Sequence, residues 1–126
     1  MSTTNRVLVV DDDEDIRDSL VDYLCDQGYE AVGATDGRDA LRMLGESADR
    51  PCVIVLDLMM PGMDGWMFRE TQLQTPALAG IPVIVTSAYQ KTADRGAHFR
   101  TVPHLPKPLD LGALLTLVQG YCLAIS

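Results

Sequence analysis

Cysteine is scarce in this chain, and its placement excludes the usual cysteine chemistries. Cys25, Cys52 and Cys122 are odd in number, and no metal-ligand spacing links them. Free buried thiols in a reducing cytosol are expected. Long apolar runs are also missing. No stretch is long enough to cross a bilayer, and Met1-Ser2-Thr3-Thr4-Asn5-Arg6 lacks the apolar segment of a signal peptide. A cytoplasmic location with no membrane contact is therefore expected. Basic charge is the third scarcity: Lys plus Arg is 10 against 18 for Asp plus Glu, a formal net charge of −8. Arg38, Arg42, Arg50, Arg69, Arg95 and Arg100 are scattered and form no patch, which argues against nucleic acid as a partner. Charge steering favours metal cations or a basic partner. There is no internal repeat, low-complexity tract or interdomain linker. With 126 residues, 47% of them hydrophobic, the chain fits one domain over 1–126, with a core over about 5–122 that needs no disulfides.

What the chain does have is apolar runs that end in polar residues. Val7-Leu8-Val9-Val10 runs into Asp11 and Asp12, and Val53-Ile54-Val55-Leu56 into Asp57. Val83-Ile84-Val85 ends in Thr86 and Ser87, and Val102 to Leu105 leads across Pro106 to Lys107. Each run reads as a buried strand. In an open parallel sheet, ligands bind beyond the carboxyl ends of the strands. The carboxylates, a hydroxyl and an ammonium would then converge there, and that excess of negative charge suits a hard divalent cation.

Helical segments alternate with these strands. The spacing of Ile16, Leu20, Tyr23 and Leu24 predicts a helix from about Glu14 to Gln27, stopped by Gly28. A second strand is expected at about Tyr29–Ala34. Next comes a helix capped by Thr35 or Asp36, with Ala40, Leu41, Leu44 and Ala48 on its apolar face. The third strand is expected at about Cys52–Leu56, and a turn-rich loop, Met60-Pro61-Gly62-Met63-Asp64-Gly65, leads to a helix from near Asp64 to Gln74. Pro76 to Gly80 breaks the chain before a strand at Ile81–Val85. Ala88–Thr101 should hold a fourth helix, Thr101–Leu105 a fifth strand and Asp110–Tyr121 a fifth helix. Such alternation implies a parallel sheet with helices on both faces.

Of the acids, Asp57 carries the sharpest signal, because turn residues rather than a helix follow it. Asp12 and Asp57 together suit Mg²⁺, which takes a few carboxylates plus water. Asp57 would keep an oxygen free to act as a nucleophile. Asp13, Glu14 and Asp15 read as solvated acids favoured by a helix N-terminus. An EF-hand loop is excluded because Ile16 stands where glycine is needed. Pro106 and Pro108 restrict the backbone around Lys107 and could aim its side chain inward.

These stretches resemble the response-regulator receiver family of two-component signalling, and the resemblance covers essentially the whole chain. It rests on Val7-Leu8-Val9-Val10-Asp11-Asp12-Asp13-Glu14, Leu56-Asp57-Leu58-Met59-Met60-Pro61-Gly62-Met63-Asp64-Gly65, Pro82-Val83-Ile84-Val85-Thr86-Ser87-Ala88 and Leu105-Pro106-Lys107-Pro108. The resemblance implies a flavodoxin-like (βα)5 three-layer α/β sandwich with strand order 2-1-3-4-5. It further implies Asp57 as phosphoacceptor, with Asp12, Asp57 and the Met59 carbonyl as Mg²⁺ ligands and Asp11 acting through a metal-bound water. Ser87 becomes the switch hydroxyl and Lys107 the phosphate-pairing lysine. The implied partners are a histidine kinase or histidine phosphotransfer protein and a downstream protein target. Output runs through the face of the fourth helix, fifth strand and fifth helix, in a monomer or weak homodimer that is no enzyme beyond its own phosphorylation and dephosphorylation.

The chain departs from that family at several points. His104 stands where Tyr or Phe is usual, either filling an aromatic slot or altering the switch. Pro103 inside the fifth strand suits an edge strand only. Met59 and Tyr89, each two residues past Asp57 and Ser87, would govern access of hydrolytic water. Two other functions fit less well. A haloacid-dehalogenase-type hydrolase needs an acid where Met59 stands, and a receiver-like binding module working without phosphate would not need the acidic set.

Overall fold

The computed structural model describes residues 5–46, 50–87 and 102–122, and in it the apolar runs form strands. They are β1 (Arg6–Val10), β2 (Glu30–Ala34), β3 (Val53–Asp57), β4 (Val83–Ser87) and β5 (His104–Pro106). Every pairing is parallel, and the order is β2-β1-β3-β4-β5. The helices are α1 (Glu14–Asp26), α2 (Gly37–Glu46), α3 (Gly65–Gln74), the single turn α4 (Pro76–Ala79) and α5 (Leu111–Tyr121).

The central strands are apolar on both faces up to their polar carboxyl ends, because both faces are covered. Leu8, Val10, Ile54, Leu56, Val83 and Val85 face Ala40 and Leu44 of α2 and Phe68 of α3. Val7, Val9, Val53, Val55 and Ile84 face Leu20 and Leu24 of α1 and Leu114 and Val118 of α5. Each fully buried Val, Leu or Ile contributes about 1.5–3 kcal/mol, so these two layers supply the main drive to fold. Acids set the helix starts. The side chains of Asp13, Asp64 and Asp110 accept the backbone N–H of Ile16, Met67 and Ala113, each cap worth about 1 kcal/mol. Asp36 caps α2 by accepting from Asp39 N–H at 2.9 Å, and Asp39 reaches back to Thr35 N–H at 3.0 Å. Gly28 ends α1 with a positive φ of 96°, a conformation glycine adopts without strain.

Four expectations need correction. β4 lies two residues later than expected, so Thr86 and Ser87 belong to the strand and are buried. β5 is only three residues long, and Pro103 precedes it. Pro106 is tolerated inside β5 because Lys107 N–H donates to Ser87 O at 3.0 Å, which by alternation turns position 106 to the outer edge. Pro76 starts the α4 turn rather than merely breaking the chain, since proline suits a first helical position. Finally, Cys52 and Cys122 are not free thiols. They form a disulfide across a sequence separation of 70, with Cα atoms 5.4 Å apart, and Cys25 is exposed rather than buried. The start of β3 and the end of α5 meet at the amino end of the sheet, a proximity that no local spacing encodes. The expected fourth helix, with Tyr89, and Ala48 and Thr101 lie outside the described residues.

One buried polar group ties α3 to the segment that leads into β4. Gln72 is fully buried; its Nε2 donates to Leu78 O (3.0 Å) and Ile81 O (2.9 Å), and its Oε1 accepts from Arg69 Nη1 (2.8 Å). Gln72→Leu keeps the bulk but strips both carbonyls of that donor. It should cost about 1–3 kcal/mol, seen as a lower urea midpoint at unchanged slope; an unshifted midpoint would show the bonds to be dispensable.

Candidate acidic site

Strand alternation builds the site. Successive side chains in a strand point to opposite faces. Val7 and Val9 face α1 and α5, so Asp11 continues that face; Val53 and Val55 do likewise, so Asp57 follows them. Leu105 also packs on that side, and Lys107 is two residues further on. Three elements thus deliver a carboxylate, a carboxylate and an ammonium to one spot. Lys107 Nζ lies 3.0 Å from Asp11 Oδ2 and 3.3 Å from Asp57 Oδ2. Asp11 is 1% exposed and Asp57 2%. Asp12, in the turn after β1, is exposed, and its carboxylate lies with those of Asp11 and Asp57 within 4.8 Å of one another.

Backbone contacts hold these groups in place. Asp11 N–H donates to Ala34 O at 3.2 Å, and its Oδ1 accepts from Asp13 N–H at 2.9 Å. Its carbonyl accepts from Arg17 Nη1 at 3.0 Å. Asp57 Oδ1 accepts from Met59 N–H at 3.2 Å. Behind Asp57, Gly65 lets α3 start against the strand end: its N–H donates to Leu58 O at 3.1 Å, and a Cβ there would meet Asp57 O and Leu58 Cα at 2.7 Å. The Lys107–Pro108 peptide is cis.

The remaining expected residues lie on β4, on β5 and just past β3. Ser87 ends β4, is 3% exposed, and follows Thr86, which stands opposite Asp57 in the strand register. Met59, just past Asp57, is 45% exposed. His104, on β5, pairs with Val85 of β4 and is partly buried. Sequence reasoning missed Arg17 and the role of Gly65. Arg17 sits on α1, six residues past Asp11, and its stem crosses Gly33, where a Cβ would lie 2.9 Å from Arg17 Cδ. No local pattern announces that contact.

The electrostatics are unbalanced. Burial, and then the charge of Asp11, push the Asp57 carboxyl up to about 6, against the opposing pull of Lys107 and the Met59 N–H. Burial pulls the Lys107 ammonium down, but its hydrogen bond to Asp11 and the charges of Asp57 and Asp11 outweigh that, and it is raised overall. Lys107 is therefore a firm cation facing three carboxylates. The donor set is all oxygen, partly buried and short of positive charge, which fits a hard divalent ion such as Mg²⁺ and not a soft one.

Residues 7–119 match the response regulator receiver domain family. The chain is 38% identical over 120 residues to an uncharacterized 14.6 kDa protein of Leptolyngbya boryana, covering 94% of this chain and 90% of that one. It is 39% identical over 117 residues to the response regulator MprA of Mycolicibacterium vanbaalenii, covering 91% of this chain. There it spans about half of the relative's length (49%). Among solved structures, the chemotaxis protein CheY4 of Vibrio cholerae superposes with a TM-score of 0.83 at 28% identity, covering 94% of this chain and 99% of that one.

In metal-free buffer, the raised Asp57 carboxyl makes a signed prediction. Its folded value (about 6) exceeds its ordinary value of 3.8, so the fold binds the proton more tightly than the unfolded chain. The stabilising contribution is complete below about pH 4 and is lost as pH rises through 6. At pH 7, with chelator present, Asp57→Asn should raise unfolding free energy by roughly 1–3 kcal/mol and flatten the loss between pH 4 and 6. A destabilised variant would contradict this account of the charge.

Proposed function

Because the chain belongs to the response regulator receiver family, we propose that it is a phosphoacceptor switch of a two-component phosphorelay, with Asp57 as the residue phosphorylated. The observation that carries this is the position of Asp57: buried at the carboxyl end of β3, clustered with Asp11 and Asp12, and 3.3 Å from the Lys107 ammonium. The proposed phosphodonor is a phosphohistidine on a histidine kinase or histidine phosphotransfer protein. A cytoplasmic location belongs to the same proposal, since such a donor draws on ATP. The Cys52–Cys122 bond removes the earlier argument for it from free thiols.

The ionised Asp57 carboxylate attacks phosphorus, an O–P bond forms, and the P–N bond to the donor imidazole breaks. Asp12, Asp57 and the Met59 carbonyl would hold Mg²⁺, with Asp11 acting through a water, and the ion supplies the positive charge that offsets the meeting of two anions. Lys107 already bridges Asp11 and Asp57; once Asp57 carries the acyl phosphate, the Lys107 ammonium turns to a phosphoryl oxygen, an ionic hydrogen bond worth about 1.5–3 kcal/mol. Ser87, buried beside Thr86, donates its hydroxyl to another. That draws in the end of β4, and β4 continues directly into residues 88–101. The expected output face is this segment with β5 and α5, and its population shifts only by what the phosphorylated and free states bind differently. The chain's chemistry under this proposal is confined to Asp57 itself, in a single receiver domain over 1–126, acting as a monomer or weak homodimer on a downstream protein.

Incubation with Mg²⁺ and acetyl phosphate should add one phosphoryl group at Asp57, absent in Asp57→Asn and lost in chelator, as read by intact-protein and peptide mass spectrometry. Rapid turnover of phosphate monoesters would favour a hydrolase instead, and no adduct would favour a binding module. His104 lies on the output strand, paired with Val85. If its imidazole alters the switch, His104→Tyr changes the ratio of partner affinities with and without phosphorylation; an equal ratio leaves His104 as a filler of an aromatic slot.

A further inference from the structure

We propose that Cys52 and Cys122 form a thiol–disulfide exchange site, with a low-molecular-weight anionic thiol of the glutathione class as its co-reactant. Their pairing sits at the start of β3 and the end of α5, at the opposite end of β3 from Asp57, and stands independently of the phosphoacceptor proposal. Three observations carry it. The backbone is set for the bond: the Cα atoms are 5.4 Å apart, within the range a disulfide spans. Cys52 is fixed, because its N–H donates to Arg6 O at 2.8 Å on β1, whereas Cys122 is the C-cap of α5, held to it by one N–H bond to Val118 O at 2.9 Å. Both cysteines are buried, Cys52 at 2% and Cys122 at 5% exposure, but a helix end opens locally at little cost, so opening of the α5 end is the motion that presents the Cys122 sulfur to a small reagent. Beside the pair lies a cleft of about 360 Å³ formed by Arg50, Cys52, Pro82 and Tyr121 among others; among the described residues Arg50, whose Nη1 donates to Leu44 O at 2.8 Å, is the charged residue lining it. A cation there attracts an anionic thiol or its disulfide that the net charge of −8 would otherwise repel.

The exchange balances without any further oxidant. The Cys122 thiolate attacks one sulfur of glutathione disulfide, the S–S bond breaks, and one glutathione leaves as thiolate. The Cys52 thiolate then attacks the Cys122 sulfur of the mixed disulfide and releases the second glutathione. The net change is two protein thiols oxidised and one glutathione disulfide reduced to two thiols. Its physical consequence is a clasp: the last turn of α5 becomes bonded to the central sheet, and the unfolded chain is closed into a long loop.

The full chain, equilibrated under native conditions in buffers of graded glutathione to glutathione-disulfide ratio and then alkylated, tests this. Cys52 and Cys122 should become protected together in one transition, while Cys25, exposed and outside the pair, stays alkylatable. Oxidised wild type should melt on the order of 10 °C above reduced wild type, and the Cys122 amide should exchange more slowly. Because this comparison uses wild-type protein in two redox states, it holds even if Cys52→Ser misfolds. Three results would overturn the proposal: both thiols alkylatable at every ratio, pairing of either with Cys25, or a bond that is reduced only after the protein is unfolded in urea.

Discussion

Negative charge crowded at the carboxyl ends of β1 and β3 is the constraint around which the rest of the molecule is arranged. Asp11 and Asp57 are almost wholly buried, Asp12 leans in from solvent, and Lys107 meets the two buried acids at 3.0 and 3.3 Å. Such an assembly is costly to fold, because like charges repel and burial strips their water. The apolar layers on both sides of the sheet offset that cost, and the caps at Asp13, Asp64 and Asp110 keep neighbouring acids productive at helix starts. The same imbalance is what makes the site useful. A cluster with one ammonium against three carboxylates has the charge and the oxygen donors that suit a divalent cation, and it leaves a carboxylate whose proton is held more tightly than usual.

Much of this was legible in the residues because the strands carry their faces in their spelling. Val7-Leu8-Val9-Val10-Asp11 puts Asp11 in phase with Val7 and Val9, and Val53 to Asp57 repeats the arrangement. Parallel pairing in near register then leaves the two acids side by side. The caps were partly legible too: Asp36 acts as one of the two candidates expected, and Asp64 sits where α3 was expected to start. What was not legible depends on contacts between distant segments. Arg17 reaching the Asp11 carbonyl, Gly65 pressed on the backbone of Asp57, and Cys52 meeting Cys122 each join residues whose proximity exists only after the sheet is assembled. The two-residue displacement of β4 has a similar origin. Ile81 and Pro82 extend the apolar pattern, but α4 and the Gln72 side chain hold Ile81 outside the ladder.

The two ends of the sheet divide the work. At the carboxyl end lies the charged cluster, destabilising when metal-free, held on short turns and backbone hydrogen bonds. At the amino end the chain is tied by apolar packing and by Cys52–Cys122. α5 runs between them, from the Asp110 cap near Lys107 to Cys122. A disulfide at one end of this helix and an ionic contact close to its other end hold α5 between two chemically different ties.

The charge balance at Asp57 can be measured directly. A ¹³C NMR titration of the Asp57 carboxyl, first in chelator and then in saturating Mg²⁺, should find it titrating near 6 without metal and displaced to lower pH once the cation is bound. An ordinary carboxyl value that ignores Mg²⁺ would contradict the account, because it would mean that the carboxylates do not share the space on which the whole proposal depends.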